Sequence, residues 1–229
     1  MVQINEPCTV RVKFKKVGRL KFVSHLDLVR TVMKVIVRAG LPLRFSEGFN
    51  PKPKLSFAAP LSTGVESVCE YMDIKLYKRV PEDEVVAMLN KNLTDELCAL
   101  LAYYPESKFT ELGFIDYRIE LDLICATEAL CLDIEKALTS PLVIVKKGKG
   151  GEREVDISPM IRNVSCKLEG GKILLECCLS SSPAEFLSPE LMIKALKDKL
   201  GILKEENLTE EGYTVMRTEA YFADMRPFR

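Results

Sequence analysis

Apolar and basic residues alternate along Val10-Arg11-Val12-Lys13-Phe14-Lys15, the period-two pattern of a strand with one buried face. Val10, Val12 and Phe14 are expected in the core, with Arg11, Lys13 and Lys15 on the opposite side. Gly18-Arg19 marks a turn, after which the period becomes helical. Ser24 stands where an N-cap belongs, with Asp27 three residues on. Val29, Val32, Met33 and Ile36 form the expected apolar stripe, and Arg30, Lys34 and Arg38 the wet side. Gly40 supplies the stop and Pro42 bars continuation. Leu43 to Ser46 reads as a short strand, and Glu47-Gly48-Phe49-Asn50-Pro51-Lys52-Pro53 as a loop. Lys54 to Leu61 and Glu70 to Tyr77 read as two further strands. Pro81 opens a helix through Leu93, and a strand over Cys98 to Tyr104 completes a β-α-β-β-β-α-β unit.

The second half gives a similar order. Phe114 to Ile124 is a strand whose outer face carries Asp116, Arg118, Glu120 and Asp122. Thr127 to Leu138 is helical. The segments Leu142 to Lys146, Arg153 to Ile157, Val164 to Leu168 and Ile173 to Leu179 are strands. Ser188 caps a helix to Leu200, and Tyr213 to Phe222 is the last strand. The expected fold class is α+β, with tandem ferredoxin-like halves of the βαβββαβ type. A basic N-terminal domain over 1–108 and an acidic C-terminal domain over 109–229 are expected to meet near residues 106–113.

At 229 residues and 47% hydrophobic, the chain has enough apolar surface for one large domain or two small ones. No apolar run approaches the roughly 20 residues of a membrane span. Met1-Val2-Gln3-Ile4-Asn5-Glu6-Pro7 lacks the basic and apolar regions of a secretory signal. The expected location is cytoplasmic, with no membrane partner. Eight cysteines occur, none in the C-x-x-C spacing that lets two thiolates converge on a metal. They read as small buried hydrophobes, and no metal or cofactor is expected. Cys177 and Cys178 should face opposite sides of one strand.

The zero net charge hides an asymmetry. Residues 1–60 hold twelve Lys/Arg against three Asp/Glu, a net of +9, and the remainder carries −9. Such a patch attracts polyanions, or docks on the chain's own acidic remainder; both readings stay open.

The densest run of unusual residues is Gly18-Arg19-Leu20-Lys21-Phe22-Val23-Ser24-His25-Leu26-Asp27-Leu28, followed by Phe45-Ser46-Glu47-Gly48-Phe49-Asn50-Pro51-Lys52-Pro53-Lys54. These segments resemble the G-R-L-x-F-x-S-H-L-D-L and F-S-x-G-F-N-P-x-P-K-L-S-F motifs of the bacterial radical SAM-linked proteins. Glu152-Arg153-Glu154-Val155-Asp156-Ile157 is similar to a third family segment. The resemblance implies a radical SAM protein as partner, since the family is encoded beside or fused to a cobalamin-type one. It implies no activity. The chain lacks the close cysteine triplet that holds a radical enzyme's [4Fe–4S] cluster, so it is expected to be a companion, and the reading leans against an enzyme.

His25 and Asp27 invite acid–base work, but residues two apart on a helix face different ways. Anion contact and a purely structural role remain the alternatives, and no catalytic residue is assigned. The loop Phe49-Asn50-Pro51-Lys52-Pro53-Lys54 mixes an aromatic, an amide and two lysines on a stiff backbone, a combination suited to single-stranded RNA. Its bland alternative is a loop whose Phe packs inward. Lys146-Lys147-Gly148-Lys149-Gly150-Gly151 lacks the helix that a phosphate-cradling loop precedes, and reads as a basic hairpin tip. The expected RNA-binding set is Arg11, Lys13, Lys15, Arg19, Lys21, His25, Arg44, Phe49, Asn50, Lys52 and Lys54, converging on one face. The leading function is an RNA-binding accessory protein for a radical SAM enzyme in tRNA or rRNA modification, with structured RNA as ligand. One alternative is a protein docking module. The other is an RNA endonuclease of the tandem ferredoxin-like type, whose Gly-rich C-terminal loop is missing between Leu200 and Gly212.

Overall fold

The computed structural model describes residues 6–148, 151–204, 206 and 210–229. The protein is α+β. Its backbone divides into two compact units, residues 6–111 together with Arg229, and Leu112–Phe228.

The first unit runs β1 (Cys8–Lys16), α1 (His25–Arg38), β2 (Leu55–Phe57), β3 (Val65–Leu76), α2 (Glu82–Asn90) and β4 (Leu97–Tyr103). Its strands pair antiparallel in the order β4-β1-β3-β2. Val10 lies opposite Ile74, and Val12 opposite both Met72 and Ala102. That register puts Val10, Val12, Phe14, Met72, Ile74 and Leu76 on one face, under Leu28, Val32, Val35 and Ile36 of α1 and Val85 and Leu89 of α2. Each such side chain removed from water contributes about 1.5–3 kcal/mol.

Ser24 caps α1 as its position suggested: its Oγ accepts from the Asp27 N–H at 3.2 Å and donates to the Asp27 carboxylate at 2.7 Å. Gly40, at φ +72°, takes the left-handed conformation that ends the helix. The buried stripe differs from the expected one. Leu28 and Val35 replace Val29 and Met33. The apolar residues of this helix cover a broad arc opposite Asp27, Arg30, Thr31, Lys34 and Arg38, and packing against the sheet chose which part of that arc turned inward.

Two strand expectations are corrected. Leu43 to Ser46 forms no strand; it makes single bridges from Leu43 to Leu76 and from Phe45 to Pro53. Its two partners belong to different segments, so no ladder propagates. Lys54 to Leu61 shortens to β2, whose ladder on β3 ends at Phe57 opposite Met72, with one further bond from Ala58 N–H to the Tyr71 carbonyl at 3.1 Å. The first unit is therefore β-α-β-β-α-β, one strand fewer than expected.

The second unit runs β5 (Leu112–Asp122), α3 (Glu128–Thr139), β6 (Val143–Gly148), β7 (Gly151–Asp156), β8 (Ile161–Glu169), β9 (Lys172–Ser180), α4 (Pro189–Leu200) and β10 (Gly212–Phe222). Four strands pair antiparallel in the order β10-β5-β9-β8, while β6 and β7 form a separate ribbon. The two units thus differ by that ribbon. Ile119, Leu121, Ile134, Leu138, Leu175, Cys177, Met192 and Leu196 are buried, and Arg118, Glu120 and Asp122 are exposed on β5. Lys149 and Gly150 of the expected basic tip lie outside the described residues. No helix among the described residues is long and apolar enough to cross a membrane.

Arg11 departs most from expectation. Alternation placed it on the wet side of β1, yet it is fully buried. Its Nε and Nη2 donate to the Asp73 carboxylate at 2.7 and 3.0 Å, Nη1 to Ser107 Oγ and Nη2 to the Ser107 carbonyl at 2.9 Å each. The guanidinium also lies 4.3 Å from the Phe109 ring centre. The reason is local: Asp73 is directly opposite Arg11 in the β1–β3 register, and the segment carrying Ser107 and Phe109 covers the pair. Breaking such a buried pair from one side costs about 3–5 kcal/mol, because the remaining charge is stranded. Arg11→Ala should lower stability by that amount in urea titration, against about 1 kcal/mol for the cap variant Ser24→Ala.

Candidate functional site

The two motif segments meet in the first unit. Gly18–Phe22 forms a 3-10 turn ahead of α1. Its backbone is pinned from two sides: Gly18 N–H donates to Glu66 Oε1 at 2.9 Å, and Lys16 Nζ donates to the Val23 carbonyl at 2.8 Å. Lys16 is buried, and that burial pushes its ammonium pKa down, partly offset by Glu70. His25, at the start of α1, meets the Phe57 ring edge-on at 5.4 Å, and Phe57 meets Phe14 at 6.0 Å. His25 therefore joins the first motif to the last residue of β2.

Asp27 takes no part in an acid–base pair with His25. Its carboxylate accepts from Ser24 Oγ and from Arg30 Nη1 at 2.9 Å, and these bonds hold its pKa below the usual carboxylate range. No three His, Cys, Asp or Glu side chains among the described residues are grouped to hold a metal ion.

The second motif forms a pinched loop. Ser46 N–H donates to the Lys52 carbonyl at 2.8 Å, and Lys52 N–H to Ser46 Oγ at 3.0 Å. Gly48, at φ +116°, provides a tip conformation that side chains rarely adopt. Phe49 at this tip is fully exposed, and its neighbours Asn50, Pro51 and Lys52 are exposed too. The inward-packed alternative for Phe49 is thereby excluded.

At the base of the loop the backbones of three cationic residues bond in a ring. Arg44 N–H donates to the Lys75 carbonyl at 2.9 Å, Lys75 N–H to the Lys54 carbonyl at 3.0 Å, and Lys54 N–H to the Arg44 carbonyl at 2.8 Å. Leu43, Leu55, Ile74 and Leu76 pack into the core. Their chain neighbours Arg44, Lys54 and Lys75 accordingly project from the other face. Lys75 was missed in the sequence. Its outward position was legible from alternation, but only the register of β2 on β3 sets it against Lys54.

The expected basic residues do not all share one face. Arg11 is buried. Lys13 and Lys15 project from the face of β1 opposite Val12 and Phe14, with Lys13 Nζ 5.7 Å from the Tyr71 ring. His25 packs on the helix side, against Phe57. Lys21 there pairs with Glu66 at 3.7 Å, and Arg19 is exposed. Phe22 and Leu26, each 66% exposed, flank His25 with apolar surface. Arg44 and Lys54, with Phe49, Asn50 and Lys52 between them, form the one continuous group.

No curated protein matches the chain. Among solved structures, one chain of a Cbf5-Nop10-Gar1 complex aligns at 12% identity and a TM-score of 0.49, over 92% of this chain and 48% of that one. This chain thus spans about half of that relative's length. A protein described as unknown, from Galdieria sulphuraria, aligns at 8% identity and a TM-score of 0.27, over 93% of this chain and 99% of that one. Both likenesses are too distant to bear on ligands or chemistry. A family model described as "uncharacterized protein conserved in bacteria" (DUF2344) matches residues 9–189. That span takes in both motif segments and the ring of Arg44, Lys54 and Lys75, and the chain belongs to this bacterial family.

Proposed function

We propose that the protein is a cytoplasmic RNA-binding accessory protein that serves a radical SAM enzyme in tRNA or rRNA modification. The observation that carries the RNA part is Phe49, an aromatic held fully in solvent on a loop stiffened by Pro51 and Pro53. A ring so placed is available to stack on an unpaired base, and Asn50 and Lys52 beside it supply an amide and a cation. The radical SAM partner rests on the sequence resemblance of the two motifs alone. We also read both units as ferredoxin-like. The strand orders β4-β1-β3-β2 and β10-β5-β9-β8, each antiparallel with two helices in the same chain order, support that reading.

A second reading has its own support. Phe22 and Leu26 expose apolar surface at the start of α1, which suits a protein partner better than RNA. In that case the chain docks on the radical enzyme and touches no nucleic acid.

Binding of small structured RNAs across a salt series separates the two. Phe49→Ala should weaken binding by roughly 1–3 kcal/mol with the salt dependence unchanged, because stacking releases no counterions. Lys52→Ala should instead flatten the log–log salt slope by about 0.7. In cells, crosslinking followed by sequencing should recover a defined set of tRNA or rRNA sites. If the parent protein binds no RNA at physiological salt, the docking reading replaces this one.

A further inference from the structure

The cations at the base of the Phe49 loop are arranged against their own stability. One step beyond the Leu55–Ile74 pair of β2 and β3, Lys54 meets Lys75, whose N–H donates to the Lys54 carbonyl, and the Arg44 backbone bonds to both. Like charges facing each other across a sheet are destabilising. Among the described residues the side chains of Arg44 and Lys54 make no hydrogen bond or ion pair, and Lys75 Nζ donates only to the neutral Thr9 Oγ1, at 2.7 Å. The carboxylate on the same face, Asp73, is committed to Arg11 by two hydrogen bonds. Backbone bonding holds the backbones of the three residues together, so their side chains start from one patch of the sheet edge.

We propose that Arg44, Lys54 and Lys75 form a phosphate-binding subsite, which holds a phosphate of the RNA strand whose base stacks on Phe49. The choice of RNA as the source of that phosphate rests on the reading above; the subsite itself rests on the ring. Arg44 contributes a planar fork that matches two phosphate oxygens, and the two ammonium groups contribute point charges. Ser56 is two residues from Lys54 on β2, on the same face and exposed, and adds a hydroxyl at the rim. Ring and tip belong to one pinched loop. Phe49 is five positions on from Arg44, an upper reach of about 17 Å, so the two contacts fall within a few nucleotides of each other.

Two probes distinguish the subsite from the source of its ligand. The first is inorganic pyrophosphate, titrated into the full chain while backbone amide signals are followed by NMR. The signals of Arg44, Lys54 and Lys75 should move, and the double variant Lys54→Gln/Lys75→Gln should lose affinity at least about tenfold. The second is the salt dependence of RNA binding, whose slope the same variant should flatten by about 1.4. Because the cations repel one another in the free protein, the variant's urea midpoint should equal or exceed the parent's. A lower midpoint would mark the cations as structural and overturn the proposal. So would pyrophosphate that leaves these signals in place. RNA binding with an unchanged slope in the variant removes the subsite and leaves the RNA reading intact. Pyrophosphate bound at the ring in a protein that binds no RNA keeps the subsite and assigns it to a free phosphate ligand.

Discussion

Three backbone hydrogen bonds close a ring between Arg44, Lys54 and Lys75 at the edge of the first unit's sheet. The position of the Phe49 loop depends on them. Segment 43–46 has no ladder of its own, and β2 has only three residues, so neither could hold the loop alone. The ring ties both ends of the loop to β3, the long strand that also carries Met72, Ile74 and Leu76 into the core. Burial of those side chains therefore fixes, through the backbone, where an exposed aromatic and three cations stand. Packing energy on one face of the sheet positions chemistry on the other.

Charge counting along the chain misjudges this surface. Residues 1–60 carry a net +9, but two of the cations are spent internally. Arg11 is fully buried against Asp73 and Ser107, and Lys16 is buried against the carbonyls that shape the turn before α1. Lys21 and Arg30 have carboxylate partners in Glu66 and Asp27. What remains exposed is smaller than the composition suggests: Arg19 and Lys52 are exposed, and Lys13, Lys15, Arg44 and Lys54 are half-buried. A buried guanidinium needs several fixed acceptors, and here Asp73 and Ser107 provide them from segments 62 and 96 residues away. Separations of that size cannot be read from a local pattern.

Much of the fold was legible because its cues are local. The alternation of Val10, Val12 and Phe14, the Ser24 cap, the Gly40 stop and the hairpin between Glu169 and Lys172 each express a constraint of a few residues. The errors arose where tertiary contacts decide. Helix α1 has apolar residues on more than one face, so its inward stripe shifted to Leu28 and Val35. Leu43 to Ser46 has strand-forming residues but two different partners, and it stayed irregular. The candidate site divides in the same way. Phe49, Asn50, Lys52 and Lys54 stood out by composition, whereas Lys75 enters only through register, and the edge-on contact of His25 with Phe57 joins two segments that no local pattern links.

In the proposed function, the loop from Arg44 to Lys54 meets nucleic acid. Photocrosslinking of the full chain to a single-stranded RNA carrying 4-thiouridine, with adducts located by mass spectrometry, tests it at residue level. Adducts should concentrate on residues 48–52, with Phe49 foremost. Efficient crosslinking confined to the ribbon of β6 and β7, or to any surface that leaves residues 44–54 unmodified, would contradict it.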